Sequence, residues 1–197
     1  AGILFSRLSG VIGLFAIGQD LTTNPAHTEE SGSAQWRFSQ SSTSNLWKTP
    51  GLFDGFGIKT TSQLKTFSGA VFGQLDWALT NRLHLLPGIR YNYDQKDVDY
   101  DRKTYGGLET TDPALLALKN AVYTSQAFKV NVDESNFSGQ FTLAFKATRH
   151  IHTFATYSTS FKPVGVNLGG LPTTNGEILL DLARVKPENV THIEVGV

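Results

Sequence analysis

Between Thr66 and Tyr100, apolar and polar side chains alternate with a period of two along two long arms joined by a very short link. In the first arm Val71, Gly73, Leu75, Trp77 and Leu79 share one face, with Ala70, Phe72, Gln74, Asp76 and Ala78 on the other. The second arm is cleaner: Leu83, Leu85, Pro87, Ile89, Tyr91 and Tyr93 stand against His84, Leu86, Gly88, Arg90, Asn92 and Asp94. Such alternation marks strands wetted on one side only. The arms exceed the roughly 5–6 residues of an ordinary strand and approach the roughly 9–11 that cross a bilayer at a tilt. The pattern therefore predicts a hairpin turning at Thr80–Asn81, and its length points to a membrane barrel.

Similar arms recur along the chain, predicting seven strands at about 1–8, 11–21, 58–79, 82–100, 136–148, 151–162 and 189–197. Short turns are expected at Ser9–Gly10, Asn81 and near Arg149. Long polar loops are expected over about 22–57, 101–134 and 163–187. In the second loop Asp112 is placed as an N-cap, Pro113 as the first helical residue, and Leu115, Leu118, Ala121 and Val122 fall at helical spacing, which predicts a short helix. Short and long links alternate, so consecutive strands run up and down with all the long loops at one end. That is the layout of an outer-membrane barrel, with short periplasmic turns and long extracellular loops. A soluble sandwich has shorter strands and turn signals every roughly 8–12 residues. The fold class expected is all-β, an antiparallel up-and-down transmembrane β-barrel, with residues 1–197 forming a single region of it.

Composition narrows the function classes. Lysine plus arginine and aspartate plus glutamate each number 17, which offers no argument for nucleic acid. There is no cysteine, so disulfides and thiolate metal sites are excluded. No apolar run nears the roughly 18 residues of a membrane helix, and the first residues, broken by Ser6, Arg7 and Ser9, have no basic leader. If the chain enters a membrane, it does so as strands. The sequence carries no G-x-S-x-G, no H-E-x-x-H and no phosphate loop, so no enzyme is expected and no cofactor is called for.

Three stretches carry a family resemblance: AVFGQLDWALTNRLHLLPGIRYNYD, FTLAFKATRHIHTFATYSTSFKPVGVN and VKPENVTHIEVGV. In their order and spacing the chain resembles the barrel of TonB-dependent outer-membrane receptors. Barrels of this class have about 22 strands, and the family carries an N-terminal plug and a short energy-coupling box that this sequence lacks. It also lacks the aromatic C-terminal residue that usually ends such barrels, and Val197 stops in mid-strand. The resemblance therefore implies a seven-strand piece of a larger receptor in the outer membrane of a Gram-negative bacterium. Its implied role is import of a siderophore or other scarce nutrient. The implied partners are the lipid bilayer and lipopolysaccharide, the small-molecule nutrient and, through parts outside this chain, the plug and an inner-membrane energy-coupling protein. Two other classes stay open: a soluble or surface β-sandwich that binds glycans, and a passive porin-type channel or adhesin.

Within the barrel reading, Leu83, Leu85, Ile89, Tyr91 and Tyr93 are expected to face lipid, with the tyrosines in the upper aromatic girdle and Trp77 in the lower one. Gln74, Asp76, Arg90, Asn92 and Asp94 are expected to face the lumen, as plug contacts, as lining of a path, or as a plain polar wall. Asp97, Asp99 and Asp101 share one face. They read either as a hard-cation site or as a solvated strand extension, and no glycine or closing glutamate completes a calcium loop. His150 and His152 share a face at a turn, a weak metal pattern, and no metal site is assigned. Trp36, Phe38, Trp47, Tyr105 and Tyr123 are the loop aromatics expected to capture a ligand by stacking.

Overall fold

The computed structural model describes residues 2–5, 7–41, 44–174 and 176–197, with side chains from residue 7 onward. Among these residues, seven strands form one antiparallel sheet in chain order. They are β1 (Gly2–Phe5), β2 (Leu8–Glu29), β3 (Gly57–Ala78), β4 (Leu83–Tyr105), β5 (Gln126–Lys146), β6 (His152–Lys162) and β7 (Glu188–Gly196). Helix α1 (Ser31–Ser41) and a 3-10 turn (Leu46–Lys48) lie between β2 and β3, and α2 (Pro113–Val122) lies between β4 and β5. The Asp112 carboxylate accepts from the Ala114 amide at 2.8 Å and Pro113 opens α2, the cap read from the sequence.

Several boundaries differ from the sequence reading. Ser9 and Gly10 do not turn; they pair with Leu4 and Ile3 inside the first hairpin, whose link falls between Phe5 and Leu8. The first strand expected at 1–8 is shorter, and Ala1 and Ser6 lie outside the described residues. The strands also continue well into segments expected to be loop: β2 to Glu29, β4 to Tyr105, and β5 back to Gln126. In β2 a register shift between Thr23 and Ala26 takes up Asn24 and Pro25, a bulge that accommodates the missing proline donor. Beyond Leu21 both faces of β2 are polar, so no apolar alternation advertises the strand.

The two lower turns described in full share one design. Thr80 Oγ1 accepts from the amides of Arg82 (3.2 Å) and Leu83 (3.0 Å), and Thr148 Oγ1 accepts from those of His150 (3.2 Å) and Ile151 (3.1 Å). In each, the threonine amide also donates to the carbonyl three residues on. The hydroxyl satisfies donors that such a short link leaves free.

Register carries each face across the sheet. Leu14, Val71, Tyr91 and Phe137 form one row; Leu85, Leu143, Ala155 and Val195 form another on the same side. This outer face is apolar and uncovered: Ile89 is 63%, Phe137 69% and Ile193 72% exposed. A soluble sheet does not leave so continuous an apolar surface in water. From Leu83 to Tyr93 is ten steps, roughly 33 Å along a strand, which at a tilt of about 40° spans the roughly 25 Å apolar band of an outer-membrane barrel. Trp77 and Phe145 mark one border of the band, and Phe67, Tyr91 and Phe137 lie toward the other.

Beyond that border the alternation changes phase. In β4 the outer positions become Asp97, Asp99 and Asp101 while the inner ones become Val98 and Tyr100, both buried. In β5 the outer Asp133, Asn131 and Lys129 alternate with the inner Val132, Val130 and Phe128. The apolar side chains turn inward where the strands leave the lipid and something else covers the inner face.

Candidate luminal wall and loop cap

Opposite the apolar band lies a polar face. Register sets Phe72 beside Arg90 and Ser138, and Ser68 beside Asp94 and Glu134. Gln74, Asp76, Arg90, Asn92 and Asp94 all lie on this side. A hollow of about 360 Å³ touches five consecutive strands, from Phe15 on β2 through Ser68, Arg90 and Ser138 to Ser160 on β6. A hollow that reaches five strands is what the concave side of a curved sheet provides, and this polar side is taken as the inner face.

Arg90 is the centre of the hollow. Its guanidinium lies 5.3 Å from the Phe15 ring and 5.6 Å from the Phe72 ring, a cationic group laid on an aromatic shelf. Gly13 leaves room for that shelf, since a Cβ there would stand 2.3 Å from the Phe72 ring. Arg90 Nε donates to Asn92 Oδ1 at 2.6 Å. Asn92 and Asp94 are buried, and Ser68 Oγ donates to the Asp94 carboxylate. Lower on the same face, His84 Nδ1 and Asp76 Oδ1 are 2.7 Å apart, and Gln74 borders a second hollow with Gln140 and Ser158. Thr142 and Thr156 join hydroxyls at 2.8 Å.

The upper inner wall is covered by the segment between β6 and β7. Its Leu171 and Ala183 pack on Val98, Tyr100 and Phe128, with the Tyr100 and Phe128 rings stacked at 4.8 Å. Gln126 pairs with the Leu171 backbone in both directions, donating to its carbonyl at 2.5 Å and accepting from its amide at 3.0 Å. Arg102, buried, reaches two loops: Nε donates to the Thr124 carbonyl (3.0 Å) and Nη1 to the Gly169 carbonyl (3.2 Å). Its guanidinium lies 5.1 Å from the Tyr123 ring. Gly170 has φ +91, and a Cβ there would sit 2.3 Å from Arg102 Nη1, so both backbone and space call for glycine.

The other two long links build a cap with its own core. Ala34 and Phe38 of α1, Leu52, Phe53 and Phe56 of the first link, and Leu115 of α2 are buried together. Phe38 stacks on Phe53 at 5.6 Å. Arg37 Nη1 donates to the Ala121 carbonyl at 2.9 Å, and Lys119 Nζ donates to the carbonyls of Gly106 (3.1 Å) and Leu108 (3.0 Å). The cap is thus one packed unit contributed by two loops. The sequence signal for it was the set of phenylalanines and leucines scattered among small polar residues, which have no period because no single element carries them.

The loop aromatics fall into different environments. Phe38 is a core residue of the cap and offers no surface to a ligand. Tyr105 stands on the outer face above the band, beside His27 at 5.8 Å, turned away from the lumen. Trp36 is 69% exposed on α1, Trp47 is half-buried with Lys48 5.4 Å from its ring, and Tyr123 is half-buried under Arg102. The three aspartates above the band each have a partner. Asp97 accepts from Asn131 (2.5 Å) and Gln95 (3.2 Å), Asp99 pairs with Lys129 at 2.6 Å, and Asp101 pairs with Lys103 at 3.5 Å. Among the described residues no group of three or more histidines and carboxylates is placed to hold a metal ion; His150 lies in the turn and His152 pairs with Lys146 in the ladder.

An antiparallel sheet that is apolar outside, polar within its curve and capped at one end by its long loops is the wall of a transmembrane β-barrel. The chain belongs to the family "TonB dependent receptor-like, beta-barrel", whose model matches residues 5–197. This family resides in the outer membrane of Gram-negative bacteria and acts in transport. Among solved structures the chain is similar to the ferric yersiniabactin uptake receptor FyuA from Yersinia pestis, at 13% identity and a TM-score of 0.49. That match covers 99% of this chain and 28% of the receptor's length. No curated protein matches the chain.

Proposed function

We propose that residues 1–197 form part of the barrel wall, with three extracellular loops, of an energy-coupled outer-membrane receptor that imports a siderophore or another scarce small nutrient. The observation that carries this reading is the phase change of the sheet, apolar outward over a membrane's depth and charged outward above it, in a chain that belongs to a family of outer-membrane receptors. Plug, energy coupling and the remaining strands are assigned to the larger protein, because residues of the wall alone cannot gate or drive transport. Lipid and lipopolysaccharide meet the outer face. Trp36, Trp47 and Tyr123 are the loop aromatics left for ligand contact, while Gln74, Asp76, Arg90, Asn92 and Asp94 line the lumen.

The test is a deletion of the full-length gene followed by growth on single sources of scarce nutrients, ferric siderophores first. The expected result is loss of uptake of one such nutrient, restored by the gene only when the inner-membrane coupling protein is intact. Uptake that survives loss of that coupling protein points instead to a passive channel. A full-length product that is monodisperse and folded in plain buffer contradicts the membrane reading itself.

A further inference from the structure

The hollow at the upper end of the membrane-spanning wall holds a buried donor without an acceptor and a cation without a counter-ion. Asn92 is 8% exposed, and its Nδ2 has no hydrogen-bond partner among the described residues. Its orientation is set, because Oδ1 already accepts from Arg90 Nε at 2.6 Å. Arg90, on its aromatic shelf, has no carboxylate within ion-pair distance among the described residues, although Arg184, Lys129 and Lys162 each have one. A buried amide donor left unmade is costly, and so is a half-buried cation without a counter-ion. Neither carboxylate on this stretch of the face fills the gap: Asp94, two positions further along, takes the Ser68 hydroxyl, and Glu134 beside it faces Arg184 at 4.0 Å through Oε1 and leaves its buried Oε2 without a partner among the described residues.

We infer that Arg90 and Asn92 form a carboxylate-binding subsite on the inner wall, just beneath the loop that begins at Pro163. A carboxylate has two oxygens in one plane, so a single group can accept from the guanidinium and from Asn92 Nδ2 together. The carboxylate comes either from a side chain elsewhere in the full-length receptor or from a solute in the lumen. This inference rests on reading the polar face as luminal.

Asn92→Asp tests it in the full-length receptor purified in detergent. The substitution keeps the oxygen that accepts from Arg90 and exchanges only the Nδ2 donor for a second oxygen. If the carboxylate belongs to the receptor, Asn92→Asp lowers Tm below that of the wild type, and acetate leaves the wild type unchanged. If it belongs to a solute, acetate raises the wild-type Tm and fails to raise that of Asn92→Asp. An Asn92→Asp protein as stable as the wild type, in a receptor that acetate does not affect, overturns the subsite, since the new carboxylate then simply pairs with Arg90. Heat-modifiable migration of the same samples reports on the barrel: a modifiable band with no Asn92→Asp effect sinks the subsite alone, and a wild type that never inserts sinks the luminal reading too. Should the variant fail to insert, a crystal structure of the wild-type receptor decides. A carboxylate oxygen within about 3.2 Å of Nδ2 upholds the subsite, and a water or an apolar neighbour there overturns it.

Discussion

Strands β3, β4 and β5 each pass through two environments and obey opposite rules in them. From Leu83 to Tyr93, β4 shows Leu, Ile and Tyr to the outside and Arg90, Asn92 and Asp94 to the inside. From Asp97 to Lys103 the same strand shows three aspartates and a lysine outside, and buries Val98 and Tyr100 within. The lower half has no protein core; its apolar surface needs lipid. The upper half is packed like a water-soluble protein, with one core under the infolded loop and a second inside the cap. The difference teaches that the solvent, changing from hydrocarbon to water at about Gln95, decides which face of a continuous strand is apolar.

The comparison yields graded expectations. The largest effect belongs to the cap: Phe53→Ala removes a fully buried ring stacked on Phe38, costing about 3–5 kcal/mol of cap stability. Limited proteolysis should then cut residues 44–56 and 106–125 together, because the two loops share one core. Cutting in one loop alone breaks the idea of a single cap. Ile89→Arg comes next. At the middle of the band a cation facing lipid costs about 2–4 kcal/mol, whereas at a 63% exposed position of a soluble sheet the same change falls within about 0.5 kcal/mol. Reversible unfolding of the receptor from lipid bilayers separates the two, and Ser158→Arg on the inner face serves as the near-neutral control.

Arg102→Lys should cost about 1.5–3 kcal/mol, since lysine cannot reproduce a fork that donates to the Thr124 and Gly169 carbonyls at once. The readout is faster protease cleavage within residues 163–187 with the strands left intact; unchanged cleavage removes Arg102 as the tie between loop and cap. The smallest effects are at the lower turns. Thr80→Ala and Thr148→Ala each remove a hydroxyl that accepts from two amides, costing about 0.5–1.5 kcal/mol apiece. The two hydroxyls share no hydrogen-bond partner, so the losses should add to within about 0.5 kcal/mol.

Much of the lower half was legible in the sequence, because lipid on one side and a polar lumen on the other impose a strict period of two over long arms. The turn at Thr80 and the helix capped by Asp112 followed from local chemistry that tertiary contacts do not override. The upper half was hidden for two physical reasons. In β2 beyond Leu21 both faces are wet, so a paired strand looks like a loop; the ladder to β3 is a backbone property that side chains need not announce. In β4 the phase change puts three aspartates on the face that is apolar lower down, a pattern that reads equally as a hard-cation site or a solvated extension of a strand ending at residue 100, whereas β4 runs on to Tyr105. Val98 and Tyr100, alternating between them, were the sign that the strand continued with its sides exchanged. Phe38 was misread for a related reason: a lone aromatic in a polar segment looks available to a ligand until the partners that bury it, Phe53 and Leu115 from separate links, are placed around it. Tyr105 could not be assigned to a side without the register that pairs it with Gly57.

The central claim is that the exposed apolar face meets lipid and the polar face does not. Nitroxide labels at Ile89 on the outer face and at Gln140 on the inner face, placed one at a time in the full-length receptor stripped of other cysteines and reconstituted in bilayers, test it directly. Relaxation by dissolved oxygen, which concentrates in hydrocarbon, and by a water-soluble nickel chelate should then diverge. The account predicts high oxygen and low nickel accessibility at position 89, and low oxygen accessibility at position 140. Equal profiles at the two positions, or nickel reaching position 89 freely, contradict it.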